Sequence, residues 1–210
     1  ASKTSAFVYP FDAADRSIAD LFHGHLAGGL NSGVSDNILK WDEGDQQLLR
    51  FWRGPAGEWM QYPSLVPTTN RLNWGEVFWI KNNQSSNQTV RILGDAPDRF
   101  ACASWSMSVE QGEHLLGYPY PVPISIANLN LAGQAQRGGN VFLADNLITE
   151  NATDSEPYTR YWAPDQAALN WLRQPEITST TDSLSPAHAF HYWRRGPAVL
   201  WTEEKPYEWP

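Results

Sequence analysis

Short runs of apolar residues alternate with turn-forming residues along most of this chain. The runs are about four to eight residues long and rich in Val, Ile, Phe, Tyr, Trp and Thr, and clusters of Gly, Pro, Asn and Asp follow about every 8 to 12 residues. This pattern predicts an all-β fold of short antiparallel strands, arranged as a sandwich or a barrel. The clearest predicted strands are residues 37–41, 48–52, 76–80, 89–93 and 198–202.

Local signals refine this pattern in three places. Residues 48–52 and 58–62 flank a turn rich in Gly and Pro, which predicts a hairpin. Residues 16–22 are compatible with a short helix. Residues 164–173 open with Pro and then Asp, which is a helix start signal, so this segment is a candidate for a second short helix.

The two halves of the sequence repeat each other in order, roughly 110 residues apart, which is a common size for a domain. The matching segments are Tyr9-Pro10-Phe11 with Tyr118-Pro119-Tyr120, 17–21 with 125–129, Gly28-Gly29 with Gly138-Gly139, 36–39 with 145–148, Phe51-Trp52 with Tyr161-Trp162, Trp59 with Trp171, Thr68-Thr69 with Thr180-Thr181, and Leu72 with Leu184. Aligning residues 78–81 with 192–195 then pairs Trp79 with Trp193. The sequence therefore predicts two tandem, diverged repeats, residues 1–99 and 100–210.

The second repeat starts with an additional segment, residues 100–116, whose pattern is strand, polar turn and strand. In the first repeat the matching segment would fall before Ala1. We therefore expect that the first repeat lacks its opening strand or receives that strand from elsewhere. A sheet edge left open in this way invites strand addition, unless residues 6–9 or a partner cover it.

The composition is that of a packed globular protein with many tryptophans. Hydrophobic residues make up 41% of the chain, charged residues 18%, and 11 of the 210 residues are Trp. A net charge of -8 and a pI near 5.0 argue against nucleic acid as a partner. No apolar run approaches the roughly 18 residues that a transmembrane helix needs. No phosphate-binding Gly loop or haem attachment motif occurs, so no cofactor is expected.

Two features bear on the compartment of the protein. The opening residues 1–5 are small and polar, as after signal-peptide cleavage, although removal of an initiator methionine before Ala1 would look the same. Cys102 is the single cysteine, so no disulfide within the chain is possible. Its alternating surroundings predict a small buried residue in a strand rather than a catalytic thiol.

Several strand motifs resemble a tandem, Trp-containing repeat of secreted bacterial proteins. In that repeat a "yxW" segment precedes an "fdg-xW" segment and a "pGeGFWI" strand, and the next unit opens with a "gWnlvgyP"-like strand. The corresponding segments here are Lys40-Trp41, residues 58–62, residues 74–80 and residues 105–119. The resemblance implies export to the periplasm, the cell surface or the medium, and a β-rich, non-catalytic module. In the second repeat Ala187-His188 replaces Gly75-Glu76.

The tryptophans fall into two groups. Those shared by both repeats are predicted to pack in the core, because a repeated position indicates a repeated packing role. They are Trp52 with Trp162, Trp59 with Trp171, and Trp79 with Trp193. Those without a counterpart are candidates for stacking on a sugar or a partner chain, with peripheral packing as the alternative. They are Trp41, Trp74, Trp201 and Trp209.

Four histidines are candidate metal ligands. His23 and His25 would lie on the same side of a strand, and His188 and His191 are expected to share one face. Neither spacing matches a structural zinc pattern, so solvated or hydrogen-bonded histidine is the alternative.

Hydrolysis of glycosides would need two facing carboxylates, and no pair stands out in the available set. That set is Glu58, Glu76, Asp95, Glu110 and Glu113.

Together these observations predict an exported, non-catalytic structural or binding protein that is a subunit of an extracellular or envelope assembly. Its partner would then be another protein. The main alternative is a carbohydrate-binding module that binds a polysaccharide through exposed tryptophans. A metal-binding protein and a hydrolase are further alternatives.

Overall fold

The computed structural model describes residues 3–11, 17–22, 24–42, 45–63, 65–92, 94–97, 104–150, 157–165, 171–175 and 177–207. The chain forms two compact units, which we call unit 1 (Ala1–Ala96) and unit 2 (Pro97–Pro210). Antiparallel strands dominate both units, and the helices among the described residues are short. The predicted all-β class with one or two short helices is therefore confirmed.

Unit 1 is built on one six-stranded antiparallel sheet and one short helix. Its elements are β1 (Lys3–Val8), α1 (Ile18–Leu21), β2 (Asn37–Asp42), β3 (Gln47–Arg53), β4 (Trp59–Tyr62), β5 (Val66–Pro67) and β6 (Val77–Asn82). The strand order is β1-β6-β2-β3-β4-β5. Strands β3 and β4 form the predicted hairpin.

Helix α1 covers one face of the unit 1 sheet. The Ser17 side chain accepts a hydrogen bond from the Asp20 backbone, and the Asp20 side chain accepts one from the Ser17 backbone, which fixes the start of the helix. Directly after it, Phe22 packs against Phe78 and Trp59, with ring centroids 5.6 and 6.3 Å apart. The helix predicted within residues 16–22 is confirmed.

Unit 2 contains a second six-stranded sheet and two additional two-stranded ladders. Its elements are β7 (Ser104–Val109), β8 (Gly112–Gly117), β9 (Ile124–Ser125), a 3-10 helix (Ile126–Asn128), α2 (Leu131–Gln134), β10 (Asn146–Glu150), β11 (Tyr158–Trp162), β12 (Leu172–Gln174), β13 (Thr178–Ser179), β14 (Ser183–Leu184), β15 (Ala189–Arg194) and β16 (Val199–Glu204). The large sheet has the order β13-β12-β11-β10-β15-β8, and β14 pairs with β9 while β16 pairs with β7.

The registers of the two large sheets support the internal repeat. Asn37 in β2 lies opposite Trp52, and Asn146 in β10 lies opposite Trp162. The strand order also matches. In unit 1 β2 lies between β3 and β6, and in unit 2 β10 lies between their counterparts β11 and β15. The turn after β4 and the turn after β12 each hold one residue at a φ of 53°, Leu65 and Ile177 respectively.

The alignment of the last shared strand is wrong by two residues. Ile38 lies opposite Ile80, and the equivalent Leu147 lies opposite Tyr192. Position 80 therefore corresponds to position 192, and Trp79 corresponds to His191 rather than to Trp193. The error keeps the strand face unchanged, because side chains in a strand alternate with a period of two.

The opening strand of the first repeat is present in the sheet. Strand β1 pairs with β6 as β8 pairs with β15: Phe7 lies opposite Phe78, and Leu116 lies opposite Phe190. The sheet edge that we expected to be open is thus covered by β1. This outcome agrees with the alternative given above, in which residues 6–9 cover the edge. Unit 1 differs from unit 2 in another way, since its described residues contain no ladder like the one between β7 and β16.

Two further expectations need correction. Residues 89–92, predicted as strand, are not in a strand, because no ladder partner lies beside them in the described part of unit 1. Leu172 and Arg173, predicted as part of a helix, belong to strand β12, as their counterparts belong to β4. Residues 166–170 of that segment and Leu93 lie outside the described residues.

The extra ladder of unit 2 builds a buried aromatic cluster. Trp201 in β16 is fully buried and contacts Trp105 and Phe190, with ring centroids 5.1 and 6.2 Å apart. Its Nε1 donates to Glu203 Oε1 at 2.7 Å, and the Asn130 backbone donates to the same oxygen at 2.8 Å. Burial raises the pKa of Glu203 above its ordinary value.

Glu203→Gln should change how stability depends on pH. The folded chain retains the Glu203 proton at pH values where the unfolded chain has lost it, so this carboxyl destabilises the fold as pH rises from about 4.5 through its raised pKa. The free energy of unfolding of the variant, relative to the native chain, should therefore increase over that range. Urea denaturation at several pH values measures it, and Glu204→Gln, at an exposed position, is the control. A relative stability independent of pH would contradict the prediction.

Candidate functional site

The face of each large sheet that points away from its buried core is the candidate site; we call it the outer face. In unit 1 the core face carries Ile38, Phe51 and Phe78, which are fully buried. Because side chains alternate along a strand, the neighbouring positions point to the outer face. Antiparallel sheets usually present polar side chains on a face that contacts water. The outer faces here depart from this rule in different ways.

The outer face of unit 1 exposes a set of contiguous apolar side chains. Trp41 lies opposite Leu48 across the β2–β3 pair, and Arg50 lies opposite Tyr62 across the β3–β4 pair. The exposed fractions are 44% for Trp41, 45% for Leu48 and 50% for Tyr62. The Arg50 guanidinium lies 5.7 Å from the centre of the Tyr62 ring. We call these four residues the unit 1 patch.

The outer face of unit 2 holds a cleft at the corresponding place, with a volume of about 510 Å³. We call it the unit 2 cleft; its lining residues are Ile148, Tyr158, Arg160, Gln174, Pro175 and His191. The sheet register explains the grouping, since Ile148 lies opposite His191 and Arg160 opposite Gln174. A mixed apolar and hydrogen-bonding lining of this kind is typical of ligand sites.

Charged groups at the edge of the unit 2 cleft are paired with neighbours. His191 Nδ1 lies 3.0 Å from Glu113 Oε1, and both side chains are partly exposed. On the same face, the Arg195 guanidinium lies 4.0 Å from the centre of the Trp193 ring. Such exposed contacts orient side chains at little cost in free energy. The cleft therefore presents the Arg160 guanidinium beside the hydrogen-bonding groups of Gln174 and His191.

The predicted tryptophans have different locations. Trp52, Trp162, Trp59 and Trp171 are buried, which confirms their predicted packing role. The same prediction is wrong for Trp79, which is half-buried, and for Trp193, which is 40% exposed.

The tryptophans predicted to stack on a ligand also differ from one another. Trp41 is exposed in the unit 1 patch, and Trp74 is half-buried in the turn before β6. The expectation for Trp201 is wrong, because its side chain is fully buried beside Trp105. Trp209 lies outside the described residues.

The predicted metal ligands do not come together. His188 lines a polar cavity on the core side with Tyr161 and Asp182, whereas His191 lines the unit 2 cleft. His188 lies directly before β15 and His191 lies within it, and the two line different cavities, so the expectation that they share a face is wrong. His25 is half-buried in the segment after α1, and His23 lies outside the described residues. No group of three or more His, Cys, Asp or Glu that could hold a metal occurs among the described residues.

Glu76, one of the candidate acidic residues, has a structural role. Its Oε2 accepts a hydrogen bond from the Asn73 backbone at 2.7 Å, and its Oε1 lies 2.8 Å from Lys40 Nζ. It thus holds the turn before β6 as a strand-end group. Cys102 lies outside the described residues.

Sequence reasoning missed most of the residues of the patch and the cleft. The available signal was the alternation within the hairpin, which places Leu48, Arg50 and Trp52 on the face opposite to Phe51. This signal is weak, because Leu and Tyr also occur in the core, and a sequence alone does not distinguish an exposed Leu or Tyr from a buried one.

No protein-family model, curated protein or solved structure matches this chain. In the part of the chain that the structure describes, no helix is both long and apolar enough to cross a membrane.

Two substitutions should separate a structural tryptophan from a surface one. Trp201→Leu should lower the free energy of unfolding by about 3 kcal/mol, because it leaves a cavity and removes the donor to Glu203. Trp41→Leu should change the same quantity by less than about 1 kcal/mol, since its ring already contacts water. Chemical denaturation of both variants measures this difference. Equal losses of stability would contradict the assignment of Trp41 to the surface.

Proposed function

We propose that this chain is an exported, non-catalytic binding protein that contacts a partner protein through the unit 1 patch, as a subunit of an extracellular or envelope assembly. The observation that carries the proposal is the exposure of Trp41, Leu48 and Tyr62 on one sheet face. A large apolar group on a face that would otherwise be polar is typical of a surface covered by another molecule.

The chemistry of the patch fits a protein partner. Trp, Tyr and Arg are the residue types that contribute most to protein interfaces, and the patch contains one of each. Arg50 lies over the Tyr62 ring, so its guanidinium is positioned before a partner arrives and less side-chain entropy is lost on binding. The strands beneath the patch give it a rigid base.

The proposal of export rests on the resemblance of the strand motifs to repeats of secreted bacterial proteins. The proposal of binding without catalysis is supported by the structural contacts of Glu76 with Asn73 and Lys40.

Photocrosslinking in the source organism tests the partner. A benzophenone amino acid at position 48, within the patch, should give one discrete protein adduct, identified by mass spectrometry. The control is the same amino acid at position 30, where Leu30 is 81% exposed in a loop outside the sheet. Trp41→Ala should weaken the complex by about 2 kcal/mol, measured with the purified partner. Identical adducts from both positions, or none from position 48, would sink the proposal.

A second candidate function is carbohydrate binding, and the unit 2 cleft favours it. The Tyr158 side chain is 55% exposed beside Arg160 and Gln174. An exposed aromatic ring stacks on the apolar face of a sugar, while guanidinium and amide groups donate hydrogen bonds to its hydroxyls. The cleft, rather than Trp201, would then be the sugar site.

Titration with soluble polysaccharide fragments tests this second candidate. One polysaccharide class should bind saturably by calorimetry, and Tyr158→Ala should weaken that binding by about tenfold or more, which corresponds to loss of one stacking contact. Phe142→Ala, at a side chain 74% exposed outside the cleft, is the matched control. Unchanged binding by Tyr158→Ala would remove the cleft as the sugar site.

A further inference from the structure

Unit 1 contains a buried carboxylate directly before its central strand. Asp36 is fully buried. Its Oδ2 accepts a hydrogen bond from the Ala27 backbone at 2.9 Å, and its Oδ1 accepts one from the Asn83 backbone at 2.9 Å. These two donors belong to segments before β2 and after β6, so the carboxylate joins two loops.

Unit 2 contains the same carboxylate with the same backbone donors and two more. Asp145 Oδ2 accepts from the Gln136 backbone at 2.7 Å and Oδ1 from the Arg195 backbone at 2.6 Å. The Tyr192 hydroxyl donates to Oδ2 at 2.6 Å, and the Arg194 guanidinium forms an ion pair with that oxygen. Arg194 is only 4% exposed, so the pair is buried and its charges balance.

The residues that balance Asp145 have no chemical counterpart in unit 1. In the sheet register Ile80 has the position that Tyr192 has in unit 2. Two residues further along the same strand, Asn82 has the position of Arg194. Ile80 cannot donate a hydrogen bond, and Asn82 carries no charge. Asp36 therefore keeps its two backbone donors but lacks the cation and the phenol.

The residues at the positions of Tyr192 and Arg194 line a cleft in unit 1. Its volume is about 410 Å³, and Asp36, Ile80 and Asn82 all line it. Apolar side chains from other elements form much of its remaining wall, namely Phe7, Leu26, Val90 and Ile92. The cleft thus combines a buried carboxylate with an apolar channel.

Two other polar groups approach the carboxylate without balancing its charge. Gln84 Nε2 lies 3.5 Å from Asp36 Oδ1 and donates more closely to the Val34 carbonyl, at 3.1 Å. Lys3 lines the same cleft from β1 and is exposed. Among the described residues, no basic side chain forms an ion pair with Asp36. A buried carboxylate without a counter-charge is costly, so the cleft favours a cation.

We propose that this cleft binds an alkyl guanidinium group, with the cation replacing the Gln84 amide beside Asp36 and the alkyl stem along the apolar wall. Arg194 is the template, because the same fold places a guanidinium on the equivalent carboxylate in unit 2. The guanidinium group can come from an arginine side chain of another polypeptide or from a small guanidinium compound. The chemistry of recognition is shared by these two sources.

Titration of the full chain with n-butylguanidinium tests the site. Calorimetry should give saturable binding with a dissociation constant on the order of 1 mM, as expected for a fragment of this size. The neutral isostere n-butylurea should bind at least about tenfold more weakly, because it cannot form a charge-assisted hydrogen bond. Absence of saturable binding, or equal binding of the urea, would overturn the proposal.

A substitution taken from unit 2 provides the decisive variant. Asn82→Arg places a guanidinium within the chain where Arg194 has one, so it should abolish binding of butylguanidinium. This variant stays informative even if Asp36→Asn, which disturbs two backbone contacts, fails to fold. Asp45→Asn, at an exposed carboxylate of the same unit, is the control and should leave binding unchanged. Undiminished binding by Asn82→Arg would place the ligand elsewhere and overturn the proposal.

Two capped tripeptides separate the two sources. Val-Arg-Val should bind more tightly than butylguanidinium if the natural ligand is a polypeptide, since its flanking residues add apolar contacts. Equal or weaker binding would assign the cleft to a small guanidinium compound. In either case Val-citrulline-Val should not bind, and binding of citrulline equal to that of arginine would contradict the role of the cation.

Discussion

A buried aspartate before the central strand is the contact on which each unit depends. Asp36 and Asp145 accept hydrogen bonds from backbone groups that belong to distant segments of their repeats. The asparagine that follows each aspartate donates to the carbonyl two residues earlier, at 2.7 Å in both units. The Asp-Asn pair thus fixes the loop before β2 and β10 and the turn after β6 and β15. Charge-assisted hydrogen bonds to backbone donors make such a contact strong and geometrically specific.

The same anchor has two different consequences in the two units. In unit 2 the ion pair with Arg194 is buried, and the ladder between β7 and β16 packs Trp201 against Phe190. In unit 1 the same aspartate is present, but Ile80 and Asn82 occupy the positions of Tyr192 and Arg194 and line a cleft. Both units have the buried aspartate, and among the described residues only Asp145 forms an ion pair. The two units therefore share the anchor and differ in the residues that surround it.

The sequence predicts the strands well where alternation and a ladder partner agree. The hairpin of β3 and β4 has both. The short helix α1 is predicted for a different reason, since it begins after the capping residue Ser17. Alternation alone is insufficient at residues 89–92, since a strand also needs a neighbour. It also leaves the register of β15 ambiguous, because a shift of two residues keeps every side chain on its face. Only the pairing with β10 resolves that register.

The candidate sites were harder to predict than the fold. A tryptophan without a counterpart in the other repeat was expected to be exposed, but Trp201 lacks a counterpart because its whole ladder is specific to unit 2. A tryptophan that occurs in one repeat and has no counterpart in the other therefore indicates an element specific to that repeat. It does not indicate that the side chain is exposed. The Asp-Asn pair, in contrast, was visible as a repeated polar pair before an apolar run, and its burial follows from the loop contacts that only the folded chain brings together.

The chain has two outer faces with matching strand order and different chemistry. The register equates Arg50 with Arg160, whereas Trp41 corresponds to Glu150 and Trp79 to His191. The retained arginine lies beside exposed aromatic and aliphatic groups in unit 1 and beside hydrogen-bonding groups in unit 2. A single fold thus presents an apolar patch and a cleft of mixed apolar and hydrogen-bonding lining. Because the strands beneath have the same order, the difference in what each face can bind resides in a few side chains at alternate positions.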